Sequence, residues 1–223
     1  MKITYTDDIA LNGVNFCIYG EAGMGKTTLC KTAPNPIIIS AEAGLLSLAD
    51  EKLPVIVVNT MKECLDAYKW LSQSQEANQY TTVCIDSLSE IAEVLLTEEK
   101  KKTKDPRQAY GVMADDMAIL IRNFRDLTSK HVYFSCKLKK EVDEVTKAVT
   151  YKPGVPGQLL LQSLPFFFDE LFVMRMGKLA DGSYYRYLQT DNDLQYIAKD
   201  RSGKLAKITQ PDIGYIINKI QGE

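Results

Sequence analysis

A run of nine residues near the amino end limits the possible folds more than any other feature of the sequence. It reads Gly20-Glu21-Ala22-Gly23-Met24-Gly25-Lys26-Thr27-Thr28, so that two glycines enclose four residues before a Lys and a Thr. The apolar segment 14–19 predicts a buried strand before the run, and Thr27–Lys31 predicts the start of a helix after it. A glycine-rich turn between a strand and a helix aims backbone N–H groups at an anion. The run therefore predicts a phosphate-binding site at the end of a strand.

Two side chains of the run suit a nucleotide. Lys26 can reach the β- and γ-phosphates, and the Thr27 hydroxyl can ligate Mg²⁺. A strand predicted at 82–86 ends in Asp86, whose carboxylate can help to hold Mg²⁺ beside Thr27. Together these residues predict that ATP and Mg²⁺ bind here. The next residue is Ser87, whereas many AAA+ mechanoenzymes carry a water-activating Glu at that position, which argues against that class.

Glu42 is the candidate for activating the water that attacks the γ-phosphate. It follows a strand predicted at 36–40, and the carboxyl ends of parallel strands meet at one edge of a sheet. A carboxylate at that edge could orient or deprotonate the attacking water. The alternative is a surface Glu that opens the next turn.

Two cations near the carboxyl end form a third candidate feature. Lys199 and Arg201 follow a strand-like run, and on an extended segment they would point to the same side. Such a pair could reach the nucleotide of an adjacent subunit and stabilise charge on the transferring phosphate. The alternative is a solvated turn.

The composition is that of a soluble globular protein. Of the 223 residues, 45% are hydrophobic and 25% are charged. No apolar run approaches the roughly 18 residues of a membrane span. Residues 1–8 contain acids and no apolar signal core, so we expect a cytoplasmic protein. The five cysteines are scattered and predict reduced core residues rather than disulfides or a metal site. The net charge of −2 requires that any nucleic-acid binding come from local basic patches.

Strand-like and helical patterns alternate along the chain, which predicts an α/β fold with a mostly parallel central sheet flanked by helices. We expect one domain over 1–223, with a parallel core at 1–176 and an antiparallel β-rich edge and closing helix at 177–223. An exposed hairpin at 137–151 and a turn-rich link at 152–157 are predicted before this edge. The other predicted elements are strands at 55–59, 132–136 and 170–176, antiparallel strands within 182–205, and helices at 61–74, 87–101, 110–129 and 211–220.

Four patches together resemble the RecA-like recombinase and hexameric-helicase group of P-loop ATPases. Within that group they are similar to small phage-encoded RecA-like ATPases associated with single-strand annealing, also described as phage nucleotide-binding AAA-domain proteins. The first patch is Gly20–Thr28, and the second is Ser40-Ala41-Glu42-Ala43, which is similar to the motif that holds the catalytic Glu of RecA. The third is Ile85-Asp86-Ser87, which is similar to the family's strand ending in Asp-Ser. The fourth is Lys199-Asp200-Arg201-Ser202-Gly203, which looks like the Lys-x-Arg-x-Gly motif of RadA- and DnaB-type ATPases.

The resemblance implies a RecA-like P-loop NTPase core that hydrolyses Mg-ATP at subunit interfaces. Lys26, Glu42, Lys199 and Arg201 would be its catalytic residues, with the last two acting in trans. The resemblance also implies assembly into a ring or filament on single-stranded DNA. RecA-like proteins often carry a Gln or His at the end of the strand that corresponds to 132–136, and this residue senses the γ-phosphate. This chain continues into Lys137 there. Either sensing of the γ-phosphate would be altered, or Lys137 would take the place of the Gln or His.

In RecA-like proteins, two loops hold DNA. One loop comes after the helix that follows the Asp-bearing strand, and the other comes after the next strand. The first corresponding stretch of this chain is basic and offers Tyr110 as a stacking platform. It supplies the DNA-binding candidates Lys101, Lys102, Lys104, Arg107 and Tyr110. The second stretch, at 137–152, is interrupted by acidic residues. The alternative is that both are solvated charge runs.

Two other functions remain open from the sequence. A small-molecule or nucleotide kinase also pairs a P-loop with a parallel sheet, although the dispersed arginines and β-rich tail do not suggest an Arg-rich lid. An ATP-regulated assembly protein would bind the nucleotide and hydrolyse it only incidentally.

Overall fold

The computed structural model describes residues 13–42, 44–127 and 129–222. Residues 1–12, on which the expected absence of a signal core depends, lie outside the described residues, as does Ala43 of the second patch. Within the described ranges, no helix combines the length and apolar character that crossing a membrane requires. The five cysteines are free and buried, as the sequence predicts.

One mixed sheet runs through the described part of the chain. From edge to edge its strands are ordered β10-β8-β7-β1-β5-β4-β2-β3, with β6 paired to β5 and β9 paired to β7. The six strands from β7 to β3 are parallel, and β8 and β10 add an antiparallel edge. The strands are β1 Asn15–Gly20, β2 Pro36–Ser40, β3 Val55–Val57, β4 Thr82–Asp86, β5 His131–Val142, β6 Val149–Gly154, β7 Glu170–Lys178, β8 Tyr184–Gln189, β9 Lys199–Asp200 and β10 Ile208–Thr209.

Helices cover both faces of the sheet. The α-helices are α1 Met61–Gln73, α2 Leu88–Lys102, α3 Pro106–Arg125, α4 Gln158–Ser163 and α5 Ile213–Gln221. Helices α1 to α4 contribute to the larger apolar cluster on one face, whereas α5 and the 3₁₀ helices Thr27–Thr32 and Leu45–Glu51 contribute to the cluster on the other face. Because both faces are covered, β1 and β4 are buried along their whole length. The predicted α/β class and antiparallel carboxyl-terminal edge are therefore confirmed.

Two helices differ from the sequence prediction. The helix after the glycine-rich run is a short 3₁₀ helix, Thr27–Thr32, because Pro34 and Pro36 follow at once and a proline disfavours helix in the residue before it. Helix α3 begins at Pro106 rather than at Tyr110. The Asp105 side chain caps it by accepting the Arg107 N–H at 2.9 Å, and proline suits the first helical position.

The segment predicted as a turn-rich link is also different. Strand β6 continues through Lys152 and Gly154, and Pro153 lies opposite Leu138 of β5. Proline is tolerated in an edge strand, where its missing N–H breaks no ladder bond. The hairpin β5–β6 is therefore longer than predicted. Helix α4, which follows it, was not predicted.

Candidate active site

The glycine-rich run leaves β1 at Gly20 and turns back toward the sheet. Gly23 and Gly25 have φ angles of 75° and 98°, in the left-handed region that side chains disfavour. The Arg186 guanidinium lies beside Gly25, at an ordinary van der Waals distance of 3.6 Å from where a Cβ would stand. The two glycines therefore give the loop its tight shape through their backbone conformation.

The Lys26 side chain lies inside the loop. Its Nζ donates to the carbonyl oxygens of Gly20 at 2.9 Å and Glu21 at 2.8 Å. Burial lowers the pKa of the Lys26 ammonium, although the carboxylates of Asp86 and Glu42 act in the opposite direction. The cation is thus held at the point where the loop would surround a phosphate.

Thr27 and Asp86 meet as predicted. The Thr27 hydroxyl donates to Asp86 Oδ2 at 2.7 Å, and the Ser135 hydroxyl on β5 donates to the other oxygen of Asp86. Asp86 is only 3% exposed, so that these bonds fix its carboxylate. A hydroxyl and a carboxylate are the oxygen ligands that Mg²⁺ prefers, and Thr27 and Asp86 would hold it here. Bound Mg²⁺ would offset phosphate charge.

The described residues contain no cluster of three or more His, Cys, Asp or Glu side chains that could hold a metal. Mg²⁺ at a nucleotide site is usually held by one or two protein side chains, water and the phosphates.

Glu42 reaches the same region from a strand that is not adjacent to β1. Strands β5 and β4 separate β2 from β1, but Ser40 at the end of β2 pairs in register with Asp86. The Ser40 hydroxyl donates to the Glu42 carbonyl at 2.8 Å, and the Ser87 hydroxyl donates to Glu42 Oε1 at 2.5 Å. The serine that follows Asp86 therefore orients the candidate catalytic carboxylate.

These groups border one cavity of about 820 Å³. Met24 is the member of the glycine-rich run that does not line this cavity. It packs instead on the smaller apolar cluster, to which the 3₁₀ helix Thr27–Thr32 contributes. The cavity is lined by Gly20, Glu21, Ala22, Gly23, Gly25, Lys26, Thr27, Thr28, Glu42, Gly44, Ser47, Asp86, Ser87, Lys137, Leu138 and Arg186.

Arg186 is a cavity residue that sequence reasoning missed. It lies on β8, and its Nη2 donates to the Gly23 carbonyl at 3.4 Å. No local motif marks it, because its place depends on β8 lying antiparallel to β7, which in turn pairs with β1. The structure thus brings a cation of the same chain to the glycine-rich loop.

Lys137 also lines the cavity, at the position of the expected phosphate sensor. Its Nζ forms an ion pair with Glu90 Oε2 at 2.7 Å, and this contact raises the pKa of the lysine. Its side chain is thereby tied to the first turn of α2.

The structure does not bring Lys199 and Arg201 to this cavity. Strand β9 pairs Asp200 with Glu170, which lies beside Phe16 near the amino end of β1. Four residues of strand, about 13 Å, separate Phe16 from the loop at Gly20. The extended segment ends at Asp200, and Arg201 Nη1 lies 2.7 Å from Asp169 Oδ1.

The predicted DNA-binding residues lie at a helix corner rather than on an open loop. Lys101 and Lys102 end α2, Lys104 lies in the short link, and Arg107 joins Tyr110 on α3. The loop is shorter than predicted because Asp105 and Pro106 start α3 before Tyr110, where the helix was expected to begin. Lys102 is paired with Glu99 at 2.5 Å.

Comparison with known proteins adds a family to this geometry. A family model described as an AAA domain matches residues 12–202. The comparison with curated proteins gives no match. The match means that Ser87 after Asp86 does not exclude an AAA domain. The chain belongs to this AAA-domain family, and its mostly parallel sheet and glycine-rich loop fit a P-loop NTPase.

Proposed function

We propose that the chain is a RecA-like Mg-ATP hydrolase that acts on single-stranded DNA in recombination, annealing or replication, of the kind that phages encode and that works in the host cytoplasm. The observation that carries the hydrolase part is the convergence of Lys26, the Thr27–Asp86 pair and Glu42 on one cavity. AAA-family membership supports nucleotide binding.

Each residue has a task in hydrolysis. Lys26 stabilises negative charge on the β- and γ-phosphates, which the loop N–H groups surround. Glu42 orients the attacking water and accepts its proton. Ser87 holds the Glu42 carboxylate through the 2.5 Å bond to Oε1. Oriented groups of this kind need no rearrangement when charge develops on the γ-phosphate.

The position of Lys199 and Arg201 supports action on a neighbouring subunit. They lie toward the amino end of β1, whereas the glycine-rich loop lies at its carboxyl end. A cation there cannot serve the nucleotide of its own chain without a large movement. In a ring or filament with head-to-tail contacts, the same surface can face the next subunit's nucleotide.

Local charge supports single-stranded DNA as the partner. The net charge is −2, yet the corner between α2 and α3 carries a dense group of cations with Tyr110 beside it. Cations combined with an exposed aromatic ring suit a flexible strand, because every base offers a face for stacking. The basic members are Lys100, Lys101, Lys102, Lys104 and Arg107.

The direct test is ATP turnover with and without single-stranded DNA, using Lys26→Ala as the inactive control. We expect turnover that the strand stimulates and that the control lacks. Phosphate transfer to a small acceptor would instead identify a kinase. Tight ATP binding with no turnover in either condition would identify an ATP-regulated assembly protein.

A further inference from the structure

A second cavity lies at the corner between α2 and α3. Its volume is about 580 Å³, within the usual range for small-ligand sites. We call it the corner cleft. Its lining includes Glu93, Leu96, Lys100, Tyr110, Lys139 and Gly157.

The corner cleft combines an apolar interior with an aromatic wall. Leu96, Val155 and Leu161 are buried, whereas Tyr110 is 37% exposed. The backbone at Gly157 lies against the Tyr110 ring, since a Cβ there would be 3.2 Å from its Cδ1. With a φ of 80°, Gly157 also holds a conformation that other residues disfavour. The ring is thus fixed at its edge and remains accessible from the cleft.

Cations reach the corner cleft from two separate elements. Lys100 on α2 places its ammonium 5.1 Å from the centroid of the Tyr110 ring, and Lys139 comes from the extension of β5. Glu93 adds a carboxylate that could accept a hydrogen bond from a base amino group. A cleft of mixed polar and apolar lining, with an aromatic face and two ammonium groups, matches a flat base that carries an anion beside it.

We propose that the corner cleft binds a nucleobase stacked on Tyr110, with the adjoining phosphate held by Lys100 and Lys139. The phosphate draws the Lys100 ammonium from above the ring, and the base takes its place. The ligand is either one residue of a single strand or a free mononucleotide. The strand form rests on the proposed function and specifies where the strand contacts the protein.

The corner cleft and the nucleotide cavity share two elements. Lys137 on β5 lines the cavity and pairs with Glu90 of α2, whereas Lys139 and Glu93, two and three residues further on, line the corner cleft. A ligand in the cleft therefore contacts the elements that position Lys137. We expect ligand-dependent stimulation of ATP turnover to be lost when the cleft cannot bind.

The test uses the fluorescence of 2-aminopurine, placed once within an oligothymidylate strand or supplied as its free nucleoside monophosphate. The glycine-rich loop is first saturated with a non-hydrolysable ATP analogue. We expect Tyr110→Ala to weaken binding about tenfold and to remove the quenching, and Tyr110→Phe to preserve both. Lys100→Gln and Lys139→Gln should each reduce the salt dependence of strand binding by about 0.7 in log–log slope.

Tyr215→Ala is the matched control, because Tyr215 is 36% exposed and lies 5.7 Å from the Lys219 ammonium but lines neither cavity. If Tyr110-dependent quenching occurs with the strand but not with the monophosphate, the ligand is the strand. If the monophosphate is quenched as strongly as the strand, the cleft binds a free nucleotide. If the strand binds wild type and Tyr110→Ala equally, the cleft proposal fails while the proposed function stands. If wild type binds no strand, the proposed function fails, and the monophosphate result alone decides the cleft.

Discussion

The two ends of β1 hold the charges of their candidate functional residues in different ways. At the carboxyl end, Lys26 bonds to carbonyls of its own loop, and Asp86 accepts hydroxyl donors from Thr27 and Ser135. At the amino end, Arg201 is tied only to the exposed carboxylate of Asp169 among the contacts that the structure describes. The first set is enclosed and ready for a ligand. The second set is exposed and balanced by a counter-charge.

The segment that carries Arg201 also rests on an unusual pair of acids. Glu170 and Asp200 are directly opposite each other across β7 and β9. Burial raises the pKa of Glu170 to about 8, with the charge of Asp200 acting in the same direction. Glu170 Oε1 accepts the Ser202 N–H, and Asp200 accepts the Gly203 and Leu205 N–H groups. The segment that carries Arg201 is thus built on a proton-dependent anchor, Glu170 beside Asp200.

Removing the loop cation should have the largest effect. Lys26→Ala deletes the charge at the centre of the nucleotide cavity, and we expect ATP turnover to fall by about 10³-fold. Lys31→Ala is the control, because Lys31 lies on the 3₁₀ helix that directly follows Lys26 but pairs with Glu51 at the surface. Measured phosphate release that is equal in both variants would contradict the assignment of the loop.

Glu42→Gln should separate binding from chemistry. An amide keeps the shape of the side chain but cannot accept the water proton, so we expect hydrolysis to slow by about 10²-fold with unchanged ATP affinity. Single-turnover hydrolysis and equilibrium binding of a fluorescent ATP analogue measure the two effects. A normal hydrolysis rate would remove Glu42 from the mechanism.

Ser87→Ala tests whether orientation of Glu42 matters. The serine donates to Glu42 Oε1 and also caps α2 by accepting the Glu90 N–H. We expect about tenfold slower hydrolysis, together with a loss of about 1 kcal/mol of stability from the cap. Ser87→Thr keeps the hydroxyl and should restore both properties; a rate that follows stability alone would show a purely structural role.

The smallest expected effect is a dependence of stability on pH that arises from Glu170, near the amino end of β1. Folded Glu170 keeps its proton up to about pH 8, whereas an unfolded Glu loses it near 4.5. Stability from this group is therefore lost as the pH rises through that window. Glu170→Gln cannot ionise, so that its melting temperature should change less between pH 5 and 8 in differential scanning fluorimetry. Parallel curves for the two proteins would exclude Glu170 as the anchor.

Local patterns predicted the carboxyl end of β1 well. The glycine-rich run, the strand ending at Asp86 and Glu42 after β2 each carry their own signal, and the structure brings them to one cavity. Arg186 has no such signal, because only the pairing of β8 with β7 brings it there. A residue placed by contacts far along the sequence cannot be read from a local motif.

The errors elsewhere have local as well as distant causes. Asp105-Pro106 is a helix-start signal that could have placed Arg107 on α3 together with Tyr110, but the helix was predicted to begin only at Tyr110. Pro153 suggested a link, although an edge strand tolerates it. The corner cleft is lined by residues of α2, α3, β5 and α4, so no local pattern connects Tyr110 with Lys139.

In the proposed assembly, one chain supplies the nucleotide cavity and the next chain supplies Arg201. Mixing Lys26→Ala and Arg201→Ala chains before assembly and measuring ATP turnover tests this arrangement. In a head-to-tail ring with random mixing, a quarter of the interfaces join an intact cavity to an intact Arg201, so we predict about a quarter of wild-type activity. Activity no greater than the sum of the two variants measured separately would contradict it.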